Sequence, residues 1–484
     1  MAKTKKTVLV VGNFDVLHPG HIRLLKFAKE CGDHLIVAVN KDDNMSVKSR
    51  VSERHRLEMV QSLECVDEAF LNEADSVTLI NQHQPYAVVK GKEYEEKDNP
   101  ELDALKNYGG KLIFGSGEFE TNAEQFIRRT PSIGKNFDYS EAKRYASRHN
   151  ITLESVLEAF DSIKRLNVLV IGEVIVDEYV QGSAVGLSQE DPTIVMTPNK
   201  TDTFLGGAAI TAGHIKAIGA NEVSLISVLG EDSAADYVTQ HIDKYNLSEH
   251  LLVDNSRPTP LKTRYRAGNK TLLRVNQVRQ HKISKELQNT IIDIVKSKVS
   301  SLDLLVFSDF NYGLLPQSLV DAITLLCHEH SVKVVADSQT SSQVGDISRY
   351  KDMDLITPTE REVRVALNNP DDGLVILAQK LARKSGAKNI VITLAEEGIL
   401  IHLPNKDFSN WENDNLSAVN KHAVDPAGAG DCFLAASSLI IAANKMPWLA
   451  YYLGSIAAAC QVGAVGNTPL DFNVLKKAVI DSFE

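Results

Sequence analysis

The sequence predicts two α/β units in tandem, and three observations point there. Short apolar runs alternate with helix-period stretches through both halves, the pattern of parallel sheets covered by helices. Two different glycine-bearing turns suited to phosphate, Asn13 to His21 and Asp425 to Asp431, stand far apart in the chain. A length of 484 residues also exceeds one ordinary core and favours two or three domains.

The elements follow in order. Residues 7–12, TVLVVG, form an apolar run that ends in Gly-Asn-Phe-Asp, so they read as a first strand and not as a signal peptide. A helix over 18–31, a strand over 35–40, a helix over 52–63 and strands over 87–90 and 111–114 complete the first unit. No Gly- or Pro-rich linker follows. Residues 138–165 read as helical, with Val156, Leu157, Phe160 and Ile163 at helix spacing. The expected boundaries are 1–135 for the first domain, 136–165 for a helical linker and 166–484 for the second domain.

In that second domain strands are expected at 167–172, 223–228, 304–308, 333–337, 354–357 and 389–394. Residues 262–267 and 270–276 flank Gly268-Asn269, a two-residue hairpin signal. Such a hairpin stands off a parallel sheet and suits a small β lid. Its alternation puts Thr263, Tyr265 and Ala267 on one face and Lys262, Arg264 and Arg266 on the other.

Composition excludes several classes. Hydrophobic content of 43% and charged content of 24% are those of a soluble globular protein. A net charge of −11 provides no basic field for nucleic acid. The five cysteines are scattered without a CxxC pair, which argues for reduced thiols and against a disulfide framework or a zinc site. No run of about 18 apolar residues is present, so a cytoplasmic protein with no membrane partner is expected.

His18 and His21 bracket Pro19-Gly20 where a strand gives way to a helix. Backbone N–H groups at a helix N-terminus favour anions, and two imidazoles there can stabilise charge developing on an α-phosphorus. Residues 5 to about 130, with GNFDVLHPGHIRLLKFAKECGDHLIVAVN, ERHRLEMVQSLECVDEAF and VVKGKEY, resemble the adenylyltransferase domain of the bifunctional heptose-phosphate enzymes. The resemblance implies a Rossmann-like nucleotidyltransferase with His18 and His21 catalytic. It places Asn13, Phe14, Asp15, Arg56, Lys90, Gly91 and Thr121 at the nucleotide, with Lys48 or Arg50 as a mobile cation for the β- and γ-phosphates. Glu120 departs from the family pattern by putting a carboxylate beside the phosphates. Glycerol-phosphate cytidylyltransferases share the HxGH turn, so ATP and CTP both remain open.

Asp431 follows Gly428-Ala429-Gly430 and opens an apolar helix. Small residues at a helix N-terminus make an anion hole, and a carboxylate there can take a hydroxyl proton. Residues from about 166 to 484 resemble the ribokinase-like sugar kinases, heptose 7-phosphate kinases above all. The matching stretches include VLVIGEVIVDEYVQG, FLGGAAITAGHIKAIGA, KTRYRAGNKTLLRVNQ, SDFNYGLL and VDPAGAGDCF. The resemblance makes Asp431 the catalytic base. Asp177, Gly206 and Gly207 are placed at sugar hydroxyls, and Arg264 and Arg266 at the sugar's phosphate. Thr393, Gly398, Ala427, Gly428, Ala429 and Gly430 fall at ATP, and Glu362 at Mg2+. Three positions depart from the family: Ile210 and Thr359 stand where asparagines are usual, and Asp337-Ser338-Gln339-Thr340 replaces Asp-Pro-Lys-Gly.

Together the halves imply a bifunctional sugar kinase and sugar-1-phosphate nucleotidyltransferase making an NDP-sugar of the ADP-heptose type for surface polysaccharide. The known heptose fusions place the kinase first, whereas here the transferase comes first. A CTP-dependent enzyme acting on a sugar or alditol phosphate, and a regulatory protein with a decayed kinase half, are the alternatives. A homodimer through the kinase lid is expected by the same resemblance.

Overall fold

The structure is a computed structural model. It describes every residue except 1–5, 15, 16, 18, 43–50, 92–98, 116–136, 189, 269, 341–344, 421, 422 and 465. The chain divides into two compact units, Met1–Ser132 and Ile133–Glu484.

In the first unit, strands β1 (Thr7–Gly12), β2 (His34–Asn40), β3 (Glu68–Asn72), β4 (Ala87–Gly91) and β5 (Lys111–Gly115) form one parallel sheet in the order β3-β2-β1-β4-β5. Successive residues of a strand face opposite layers. Val8 and Val10 therefore pack with Leu25, Leu35 and Val60, while Leu9 packs with Ile36, Ile80 and Leu105 on the other side. Strand order reverses between β1 and β4, and an open α/β sheet offers its ligand crevice at the carboxyl ends of strands at such a point. β3 and the helices Ser76–His83 and Glu101–Lys106 were not expected. β3 is an edge strand that opens on an exposed glutamate, and Glu101–Lys106 is too short to show periodicity.

The second unit is built on nine strands. These are β6 (Asn167–Gly172), β9 (Glu222–Leu229), β10 (Ser248–Val253), β13 (Leu304–Asp309), β14 (Lys333–Ser338), β15 (Leu355–Ile356), β16 (Ile390–Thr393), β17 (Ile399–Pro404) and β18 (Trp411–Leu416), ordered β10-β9-β6-β13-β14-β15-β16-β17-β18. Pairing is parallel up to β16 and antiparallel through β17 and β18. Val168 and Val170 enter one helix-covered core and Leu169 and Ile171 the other. Helices Ser140–Arg148 and Leu153–Ile163 occupy the stretch read as a linker. Both pack into the first of these cores through Tyr145, Val156 and Phe160, and the Tyr145 hydroxyl donates to the Trp448 carbonyl at 3.2 Å.

The lid is larger than the ribbon expected. β11 (Leu261–Ala267) and β12 (Lys270–Gln277) form the antiparallel hairpin, but β11 also pairs in parallel with β7 (Val174–Leu187). β7 in turn pairs with β8 (Ile194–Gly207), giving a four-stranded sheet β12-β11-β7-β8. The β7–β8 hairpin was missed because glycines and register shifts at Gln181/Gly182 and Ala184/Gly186 interrupt its alternation. A further shift at Tyr265/Arg266 breaks the simple alternation of the β11 side chains. Among the described residues no helix is long and apolar enough to cross a membrane.

Candidate active sites

In the second unit the helix Ala429–Ala442 starts at Gly428, which has φ 78°. A side chain there would be strained, and its Cβ would lie 2.1 Å from Asn467 Oδ1. Asp431 stands in the first turn of that helix, buried, and accepts a hydrogen bond from Thr211 Oγ1 at 3.2 Å. Burial pushes its carboxyl up to about 6; the Thr211 hydroxyl opposes this, Asp177 adds to it and Lys262 counteracts it. A carboxylate so placed ionises just below neutrality and suits general-base work.

Thr211 ties Asp431 to the residues expected at the sugar. Its helix, Ala208–Ile218, is entered through Gly206 and Gly207 at the end of β8. A Cβ on Gly206 would meet Asp177 Oδ2 at 2.3 Å, and one on Gly207 (φ 62°) would meet the Glu173 carbonyl at 2.2 Å. Asp177 Oδ1 accepts from Arg264 Nη1 at 2.5 Å, and the Arg264 and Arg266 guanidinium carbons lie 5.1 and 5.4 Å from the Tyr179 ring centroid. Asp177, Gly206 and Arg264 are therefore gathered, with Arg264 engaged by Asp177. Ile210 is fully buried in its helix.

A cavity of about 720 Å³ opens beside Asp431. Its lining brings together Thr393, Gly398, Gly428, Ala429, Gly430, Asp431, Glu362 and Asp337. Ala427, expected at ATP, is not in this lining and donates its N–H to Asp425 Oδ1 at 3.1 Å. Thr359, in place of an asparagine, caps the helix Glu360–Leu367. Its N–H donates to Glu362 Oε2 at 2.7 Å, and its hydroxyl accepts from the Glu362 N–H. Glu362 Oε1 accepts from the Thr340 N–H at 2.6 Å, so both oxygens of the expected metal residue already hold backbone. Asp337 was not singled out as a site residue. Burial, then Glu362 and Asp431, hold its carboxyl well above the usual range. Among the described residues no group of three or more His, Cys, Asp or Glu side chains is arranged to hold a metal by itself. A divalent cation beside Asp337 and Glu362, which both line the cavity, would need further ligands from a bound substrate. Thr211 was also missed, although a hydroxyl one helical turn after Gly207 is a readable signal.

In the first unit β1 and β4 end side by side in Gly12 and in Lys90-Gly91, at the reversal of strand order. Phe14, buried with φ 50°, turns the chain, and its ring centroid is 5.3 Å from that of His21 in the first turn of the helix Pro19–Glu30. Asn13 Oδ1 accepts from Asn40 Nδ2 at 2.7 Å. Arg56, expected at the nucleotide, is instead fully buried. It donates to the Asn13 carbonyl, to the Val51 carbonyl at 3.2 Å and to Asp42 Oδ1 at 2.6 Å, bracing the turn from beneath. Lys90 donates to Asn99 Oδ1 at 2.9 Å and to the buried Glu101 Oε1 at 3.0 Å, an anchored position rather than a mobile one. Asp15, His18, Lys48, Arg50, Glu120 and Thr121 lie outside the described residues.

Comparison with known proteins agrees with this division. Residues 165–471 match the pfkB family carbohydrate kinase model, and residues 9–115 match the cytidylyltransferase-like model. The bifunctional protein HldE of Desulfatibacillum aliphaticivorans is 30% identical over 318 residues, covering 65% of this chain and 63% of that protein. HldE of Nitratiruptor sp. is 30% identical over 62% of each. The chain thus spans less than two thirds of the length of these relatives. Among solved structures, phosphofructokinase-2 from Escherichia coli superposes with a TM-score of 0.55 at 14% identity, over 66% of this chain and all of that one. Ribokinase of Arabidopsis thaliana, complexed with ribose and ATP, gives 0.50 at 17% identity, over 65% of this chain and 98% of that one. These likenesses carry the fold of the second unit. With the match over residues 165–471 spanning more than half its length, the chain belongs to the pfkB family of carbohydrate kinases and carries a cytidylyltransferase-like domain ahead of the kinase.

Proposed function

We propose that the chain is a bifunctional enzyme. Its second unit phosphorylates the anomeric hydroxyl of a sugar phosphate with ATP, and its first unit transfers a nucleotidyl group onto a sugar 1-phosphate. A heptose phosphate is the substrate class best supported, by the HldE relatives and by cationic Arg264 and Arg266 on the lid. The observation that carries the kinase reading is buried Asp431 at the start of a glycine-entered helix, beside the cavity and hydrogen-bonded to Thr211.

In the kinase step the ionised Asp431 takes the proton of the sugar hydroxyl. The sugar oxygen forms a bond to the γ-phosphorus as the bond to the β-bridging oxygen breaks, and ADP leaves with that electron pair. The N–H groups at the start of Ala429–Ala442 hold the phosphoryl oxygens. Asp337 and Glu362 are the side chains that would face Mg2+ carried on the triphosphate, which supplies charge neutralisation when bound. In the transferase step His18 and His21 stabilise charge on the α-phosphate while the sugar phosphate attacks and pyrophosphate leaves. The test is mass spectrometry of products after incubation with a panel of sugar phosphates, Mg2+ and either ATP or CTP. The cytidylyltransferase-like match makes CTP the second reading at the first unit.

A homodimer through the lid is part of this proposal. Val185, Leu187, Ile194, Val195, Leu273 and Val275 are exposed apolar side chains on lid strands, a surface that a second lid would cover. Light scattering at micromolar concentration is expected to give twice the chain mass. Leu187→Lys with Ile194→Lys is expected to give the monomer, and a wild-type monomer refutes the lid-mediated dimer.

A further inference from the structure

Lys262 has no role in the assignments above, yet it stands on the same lid strand as Arg264. It lies on β11 in register with Asp177, and its ammonium sits 4.8 Å from the Phe310 ring centroid and 5.5 Å from that of Tyr312. Those rings are buried, and their loop is held by Glu173, whose carboxylate accepts the N–H groups of Phe310, Tyr312 and Leu314 at 2.9, 3.1 and 3.2 Å. The platform under Lys262 is therefore rigid. Two residues along the strand Arg264 pairs with Asp177 at 2.5 Å, whereas among the described residues no carboxylate pairs with Lys262. A half-buried ammonium over two aromatic faces gains some cation–π stabilisation but makes no ion pair among the described residues.

Lys262 also stands near the reacting centre: it is in register with Asp177, whose other oxygen abuts Gly206 at the entry to the Thr211 helix, and its charge opposes the effect of burial on Asp431. The other groups acting on Asp431 are the Thr211 hydroxyl and Asp177, itself paired with Arg264, while Asp431 in turn acts on Asp337. An ammonium with no ion-pair partner among the described residues, on a fixed platform and close enough to act on Asp431, is arranged for an anion that arrives with the substrates.

Resting on the kinase reading, we propose that Lys262 is an anion-binding residue that takes a phosphate oxygen, and that this oxygen belongs to the phosphoryl group in transfer. A phosphate already on the sugar offers the same chemistry, and the two sources give different kinetics. A contact made in the transition state lowers kcat, while a contact to the acceptor's own phosphate raises the acceptor KM.

Full-length Lys262→Met is expected to lower kcat about 100- to 1,000-fold with acceptor KM changed less than about threefold, the size of effect of removing one preorganised charge-stabilising group. Its pH–rate profile should move its acid limb upward, because the cation that favours ionised Asp431 is gone, and Lys262→Arg should restore much of the rate. A loss confined to acceptor KM, or an unchanged kcat, overturns the proposal. Binding of ADP with fluoroaluminate, a mimic of the phosphoryl in flight, tests the residue without any sugar. Fluoroaluminate should tighten ADP on the wild type and not on Lys262→Met, and equal tightening on both overturns the assignment. If the wild type phosphorylates no sugar phosphate yet shows this difference, the substrate reading fails while the Lys262 assignment stands.

Discussion

Asp431→Asn is expected to lower sugar-dependent ADP release by about 100- to 10,000-fold while leaving pyrophosphate release from supplied sugar 1-phosphate intact. The variant keeps the shape and the Thr211 hydrogen bond but cannot accept the proton. In the wild type kcat should climb as pH rises through about 6, where the buried carboxyl ionises, and level off above it. The same variant carries a stability prediction of opposite sign. The folded carboxyl at about 6 lies above its ordinary 3.8, so the folded state holds the proton more tightly than the unfolded chain. The contribution from this group is therefore fully present below about 3.8 and lost as pH rises through about 6. That displacement corresponds to about 3 kcal/mol at neutral pH, an upper figure for what the neutral amide recovers. Thermal melts should find Asp431→Asn more stable than the wild type at pH 8 and no more stable at pH 4. A variant that keeps near-normal kinase turnover removes Asp431 from the role.

His21→Ala is expected to depress pyrophosphate release by about 100- to 1,000-fold and to spare the kinase half. His21 sits in the first turn of Pro19–Glu30, beside the buried Phe14 at the carboxyl end of β1, and in the proposed transferase step its imidazole stabilises charge on the α-phosphate. His18→Ala is expected to behave alike on the evidence of the HxGH pattern. Neither imidazole forms a bond to phosphorus, so a trapped phospho- or nucleotidyl-histidine contradicts this mechanism. A His21→Ala enzyme with wild-type pyrophosphate release does so too.

How much of this was legible beforehand depended on where each signal resides. Buried parallel strands such as TVLVVG and NVLVIG announce themselves as apolar runs, and Asp431 was legible because VDPAGAGDCF comes late in a long α/β unit with other stretches that resemble the ribokinase-like kinases. The long β7–β8 hairpin was not legible, since glycines and bulges break its alternation and its partner in the sheet, β11, lies far along the chain. Arg56 and Lys90 were expected at the nucleotide by resemblance to the adenylyltransferase family, and that expectation says nothing of their protein partners. Only three dimensions show that Arg56 braces Asn13 from beneath and that Lys90 is anchored to Glu101. Glu362 matched a metal position by pattern, while its two backbone hydrogen bonds appear only in the fold. Thr211 could have been found one helical turn after Gly207, but Asp337 and Lys262 act with Asp431 from separate strands, and no linear spacing connects them.

The central claim is that the second unit makes the kind of acceptor that the first unit uses, which requires phosphorylation at the anomeric oxygen. The most direct measurement is phosphorus NMR of the product formed by the full chain from ATP, Mg2+ and heptose 7-phosphate. A new phosphate coupled to the anomeric proton is the predicted result, and a new phosphate on any other carbon contradicts the account.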